Sequence, residues 1–146
     1  MTTKIIIAGF GGQGIILAGK LLAYSAMIEN KEVTHMPSYG AEMRGGTCKC
    51  SVIISDEPIA SPIVSKSDIT LIMNLPSKIK FEPICKNQSK IFINSSLIEE
   101  KAKRDDLAAY YVDATNLAEE AGSVKSANMI MLGAFAKISP TPSEFG

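Results

Sequence analysis

The stretch "KIIIAGFGGQGIILAGKLLA", residues 4–23, limits the fold more than any other part of the chain. Three consecutive isoleucines, Ile5 to Ile7, read as a buried strand over Lys4 to Ala8. Four glycines then fall within six residues, Gly9 to Gly14. An apolar segment from Gln13 or Gly14 to about Asn30 reads as a helix. Gly9, Gly11 and Gly14 fit G-x-G-x-x-G between a strand and a helix, the context a dinucleotide turn requires. Glycine allows the sharp turn and lets a phosphate approach the amides. The helix start adds unpaired N–H groups and the positive end of its dipole. The plain alternative is a tight turn with close helix–sheet packing and no ligand.

Two nucleotide readings lack a residue they need. A dinucleotide site also wants an acid at the end of the second strand to hold the ribose. That end reads "THMPSYG", and Glu32 stands before the strand. Gly14 to Lys20 fits the spacing of a P-loop, but Leu21 occupies the place of its Ser or Thr. Lys20 is the only charge between Lys4 and Glu29. Helical side chains lean toward the N-terminus, so its ammonium can reach back toward an anion at the turn, or snorkel to solvent.

The remaining chain alternates. Strands are expected at Val33–Met36, Thr47–Ile54, Ile69–Asn74, Lys90–Asn94 and Ala109–Val112, with a hairpin arm at Ile59–Ser61. Helices are expected at Pro76 to about Lys86 with a break at Pro83, at Thr115–Ala121 and at Ser126–Ile138. The pattern predicts a three-layer α/β/α sandwich with a mainly parallel, mixed Rossmann-like sheet, in a single domain over residues 1–146. Ala18, Leu22 and Ala26 line one face of the first helix, and Ile16, Ala23 and Met27 mark another. Such a helix is buried on more than one side, by a protein partner or by the chain's own C-terminal helix.

Charge and cysteine content narrow the function. Fifteen basic residues balance fifteen acidic ones, which gives no electrostatic case for nucleic acid or an anionic membrane. No secretory signal opens the chain, and three cysteines suit a reducing compartment, so a cytoplasmic location is expected. Cys48 and Cys50 share a strand face, and Cys-x-Cys with a remote Cys85 is neither zinc nor iron–sulfur spacing. No residue set for catalysis is evident. The loop "PSYGAEMRGG" crowds Tyr39, Glu42 and Arg44 among glycines before a strand, where Arg44 suits phosphate or carboxylate. His35, the one histidine, reads as a core or edge residue.

"GFGGQGIILAGKLLA", "PSYGAEMRGGTCKCSVIISDEPIASPIV", "DITLIMN" and "ANMIMLGAF", in this order, resemble the gamma subunit of 2-oxoacid:ferredoxin oxidoreductases. The run Tyr-Gly-Ala-Glu-Met-Arg-Gly-Gly is most similar to the 2-oxoglutarate branch. The resemblance implies a subunit of an enzyme that decarboxylates a 2-oxoacid, acylates coenzyme A and passes electrons to ferredoxin. It implies thiamine diphosphate, magnesium and iron–sulfur clusters in partner subunits, namely alpha and beta, with delta as a further candidate. Coenzyme A is then the ligand expected at this chain, with no catalytic residue of its own. Gly11, Gly12, Gln13 and Gly14 match the family's turn and are the candidates for its phosphates. Lys20 matches a basic helix position. Ser38, Tyr39, Arg44 and Gly45 match the second loop, and Asn74 ends a strand at the same sheet edge. Relatives continue beyond "SPTPSEFG" through another helical segment, so a shortened C-terminus is expected. A stand-alone NAD(P)-binding oxidoreductase and a purely structural assembly subunit remain the alternatives.

Overall fold

Strand β1 (Thr2–Gly9) runs through the middle of a six-stranded sheet with the order β2-β3-β1-β4-β5-β6. The computed structural model describes residues 1–10, 13–38 and 48–138. The other strands are β2 (Glu32–Ser38), β3 (Cys48–Ser55), β4 (Ser67–Ile72), β5 (Cys85–Asn94) and β6 (Ala108–Val112). The helices are α1 (Ile15–Ile28), α2 (Leu75–Phe81), α3 (Ala114–Glu120) and α4 (Ala127–Ile138), with short 3-10 turns at Glu82–Ile84 and Val124–Ser126. β1 pairs in parallel with β4, β4 with β5 and β5 with β6. β3 alone runs antiparallel, wedged between β1 and β2. Ile5, Ile6 and Ile7 are buried because β1 is covered on both faces, which explains the unbroken apolar run.

Each face of the sheet has its own core. On one, Ile5, Ile7, Cys50, Val52, Leu71 and Phe92 pack with α1, α3 and α4. Phe92 stacks on Tyr110 at 5.0 Å and meets Phe135 of α4 edge-on at 6.1 Å. On the other, Ile6, Ile53, Ile72, Ile91 and Ile93 pack with Phe81 of α2 and with Val64, Ile98 and Leu107. The α/β sandwich is therefore real, but among the described residues its second outer layer is one short helix and irregular chain. Among the described residues no helix is long and apolar enough to cross a membrane.

Four local expectations change. Ile59–Ser61 forms no strand, because β1 and β2 already take both edges of β3. β2 continues through Pro37 and Ser38, because it is an edge strand where proline forfeits no necessary bond. Pro83 does end α2, but the chain passes by a 3-10 turn straight into a longer β5 that starts at Cys85. In α1 the buried residues are Ile15 and the small Ala18, Gly19, Ala23 and Ala26, whereas Leu17, Leu21, Tyr24, Met27 and Ile28 are exposed. The helix lies close on the sheet and turns its larger side chains outward.

Candidate functional site: the crevice between β1 and β4

β1 leads into α1 on one face of the sheet, and β4 leads into α2 on the other. Those two strands are parallel neighbours. The winding thus reverses between them, and their carboxyl ends open the crevice where α/β sheets bind ligands. Gly9 and Met73 face each other there, with the Met73 amide donating to the Ala8 carbonyl at 2.8 Å.

The turn after β1 is built for close approach. A Cβ on Gly9 would lie 2.5 Å from Gln13 Oε1 and 2.7 Å from Met73 Cβ. Gln13 closes the turn: its Oε1 accepts the Phe10 amide at 2.7 Å, its own amide donates to the Phe10 carbonyl at 3.0 Å, and its Nε2 makes a long contact of 3.4 Å to the Met73 carbonyl. Gly14 starts α1 in the left-handed conformation, at φ 71° and ψ 32°. It has no side chain to cap the helix, and no acid stands in the first turn. Among the described residues no side chain caps this 14-residue helix, so its first amides are open to an external acceptor.

On the other side of the crevice, Asn74 is buried at 2% exposure. Its Oδ1 caps α2 by accepting the Ser77 amide at 3.0 Å, which fixes the orientation of the side-chain amide. Its Nδ2 is then a buried donor with no partner among the described residues, and the Ser77 hydroxyl is in the same position. A donor left in this state costs about 1–3 kcal/mol. Asn94, at the end of β5, donates to the Met73 carbonyl at 3.3 Å and to Thr115 Oγ1 at 2.9 Å, so its amide serves the framework.

Gln13, Gly14 and Asn74 are thus gathered at one crevice. Ser38 ends β2 at the same sheet edge, but β3 lies between, which sets it about 10 Å from β1 at the usual strand spacing. Lys20 is exposed on α1, and its charge helps burial to lower the pKa of His35 on β2. Gly11, Gly12, Tyr39, Arg44 and Gly45 lie outside the described residues. Sequence reasoning missed Ser77, Asn94 and Asn128. Asn74-Leu-Pro-Ser77 does carry a legible capping signal, an asparagine before a proline in the first turn. Asn94 and Asn128 carry none, because their partners are distant in the chain. The Cys50 thiol is pushed up to about 12, by burial first and then by the neighbouring Cys48, so it is no nucleophile.

The family model for pyruvate ferredoxin/flavodoxin oxidoreductase matches residues 4–144. The chain belongs to that family. It is 38% identical over 141 residues to the 2-oxoglutarate synthase subunit KorC of Methanocaldococcus jannaschii, covering 94% of this chain and 75% of that subunit. The gamma subunit of a keto/oxoacid ferredoxin oxidoreductase from Geobacter sulfurreducens has the same fold, with a TM-score of 0.82, 29% identity, and coverage of 94% of this chain and 77% of that one. The 2-oxoglutarate:ferredoxin oxidoreductase of Magnetococcus marinus, solved with 2-oxoglutarate, coenzyme A and succinyl-CoA bound, matches in fold with a TM-score of 0.85 at 24% identity. The match covers 98% of this chain but 26% of that one. The chain likewise spans 27% of the ketoisovalerate oxidoreductase subunit VorA of Methanothermobacter marburgensis, to which it is 37% identical over 89% of its length. In this family the same domain therefore occurs both as a short subunit and within longer chains.

Proposed function

We propose that this chain is the gamma-type subunit of a 2-oxoacid:ferredoxin oxidoreductase, most like the 2-oxoglutarate branch, and that its crevice between β1 and β4 holds coenzyme A. The observation that carries the ligand reading is the pairing of an uncapped α1 start with the buried, unpartnered Asn74 Nδ2. Both are donors, both sit at the switch point, and the phosphates of coenzyme A are acceptors. The Magnetococcus marinus enzyme, which shares the fold, was solved with coenzyme A.

This chain's part in the reaction is to bind and orient. The amides at the start of α1, with Gly11 and Gly12 before them, receive phosphate oxygens. Asn74 donates one further hydrogen bond beside Gln13, and Lys20 and Ser38, with Tyr39, Arg44 and Gly45 in the sequence that follows, are the candidates for any part of the ligand that extends toward β2. With the nucleotide end anchored, the thiol end is left free to reach a neighbouring subunit, a gain in effective concentration. Thiamine diphosphate with magnesium, and iron–sulfur clusters, belong to the alpha, beta or delta partners in this reading and supply the decarboxylation and electron-transfer chemistry there. The isolated chain reduces no ferredoxin.

The fold weighs against a stand-alone dinucleotide enzyme. β3 separates β2 from β1, and Glu32 pairs with Ser55 at the opposite end of the sheet from the glycine turn. The deciding test is reconstitution with the partner subunits. The complex should oxidise a 2-oxoacid only when this chain is present, with saturable dependence on coenzyme A. Full activity without the chain would refute the reading.

A further inference from the structure

Asn128 lies in the first turn of α4, 114 residues after Gly14, and is 4% exposed. Its Nδ2 donates to the Gly14 carbonyl at 3.1 Å. Its Oδ1 accepts the Met129 amide at 2.9 Å, which fixes which end of the side chain faces the turn. The Gly14 carbonyl also accepts the Ala18 amide at 3.0 Å, the first rung of α1. Gly14 is tied to Asn128 sterically as well, since a Cβ at residue 14 would stand 2.6 Å from Asn128 Nδ2. The positive φ favours glycine at residue 14, and any side chain there would also have to displace the Asn128 amide.

We infer that Asn128 is a positioning residue for the ligand turn: through its hydrogen bond to the Gly14 carbonyl, α4 sets the direction in which the start of α1 presents its amides. This rests on the reading of the crevice as the coenzyme A site. Asn128 touches no ligand itself. A core asparagine with a purely structural role would affect folding alone. A positioning role affects the affinity for the anion and leaves the steps after binding unchanged.

The test uses the complex reconstituted with its partner subunits, comparing Asn128→Leu, Asn128→Asp, Met131→Ala and Asn74→Asp. Met131 is a buried neighbour on α4 that packs in the core. Both Asn128 variants lose the donor, and Asp keeps the shape. Each should raise KM for coenzyme A on the order of tenfold, the worth of one buried hydrogen bond, with kcat and KM for the 2-oxoacid unchanged. Met131→Ala should lower the melting temperature at least as much and leave KM for coenzyme A unchanged. A rise in KM with Asn74→Asp but not with either Asn128 variant overturns this inference and leaves the ligand reading standing. An equal rise with Met131→Ala overturns it too. Unchanged KM in every variant overturns both.

Discussion

Gly19 of α1 lies over Cys50 of β3 so closely that a methyl group on it would collide with the Cys50 sulfur and stand 3.1 Å from the His35 ring. This contact sets how near the first helix comes to the sheet. Alanine at residue 19 would gain about 1 kcal/mol of helix propensity. Overpacking against a central strand costs about 1–3 kcal/mol. Gly19→Ala should therefore be destabilising on balance, read as a lower urea midpoint with an unchanged slope. A raised midpoint would show that the helix can lift without penalty.

The outer side of α1 makes the opposite prediction. Leu17, Leu21, Tyr24, Met27 and Ile28 are exposed on it, and a groove lined by Leu21, Leu22, Met129 and Phe135 runs beside them. An apolar surface of this kind on a lone chain favours association. The chain expressed alone should self-associate. Met27→Lys with Ile28→Lys should reduce that association and shift the melting temperature by no more than about 4 °C, since surface changes rarely exceed ~0.5 kcal/mol each. Sedimentation velocity checks it, and a monomeric parent chain would contradict it.

Lys78 and Glu82, one helical turn apart, form a buried ion pair at 3.0 Å. Glu82 also accepts the amides of Lys103 and Arg104 at 2.6 and 3.0 Å, so it clasps the 99–106 loop to α2. Burial alone would raise its pKa. The amides of Arg104 and Lys103 and the Lys78 ammonium outweigh burial and hold it below the ordinary 4.5. A depressed carboxylate stabilises the fold fully above its unfolded value, and that contribution is lost as pH falls through the folded one. Glu82→Ala leaves Lys78 buried and unpaired and should cost about 3–5 kcal/mol at pH 7. Below pH 4.5 the gap between parent and variant should narrow. A gap independent of pH, measured by urea unfolding, would contradict this.

Local physics made much of this fold legible, and long-range pairing hid the rest. The β1–glycine–α1 opening could be read because each signal lies within a few residues of the next. The insertion of β3 between β1 and β2 could not, since nothing in "TCKCSVIIS" says which strands it will join. The same gap produced the expected arm at Ile59–Ser61. For α1, apolar periodicity found the helix and put Ala18, Ala23 and Ala26 on its buried faces, but it put the exposed Met27 there too and did not single out Gly19, which close packing on Cys50 selects. Around the crevice, the turn at Gly14 was legible from its local pattern, whereas Asn74 entered through the family resemblance and caps α2 instead of ending β4. Asn128 was not legible, because its importance lies in a hydrogen bond to a residue 114 positions away.

Asn74 separates capping from ligand binding. Asn74→Asp keeps an acceptor for the Ser77 amide, while Asn74→Ala removes both cap and donor. Alanine should cost about 1 kcal/mol of stability through the lost cap. Both variants should lose coenzyme A affinity on the order of tenfold or more, because both lack the donor. Loss in Ala with full affinity in Asp would show that Asn74 serves α2 alone.

The most direct measurement is a calorimetric titration of coenzyme A, beside pantetheine, into the full chain alone and into its complex with the partner subunits. Pantetheine carries the thiol arm without the nucleotide phosphates. Coenzyme A should bind more tightly than pantetheine, its affinity should fall as salt rises, and Gly12→Val should weaken it while leaving pantetheine unaffected. Equal affinities for the two ligands, or no binding of coenzyme A in either preparation, would contradict a phosphate site at the crevice between β1 and β4.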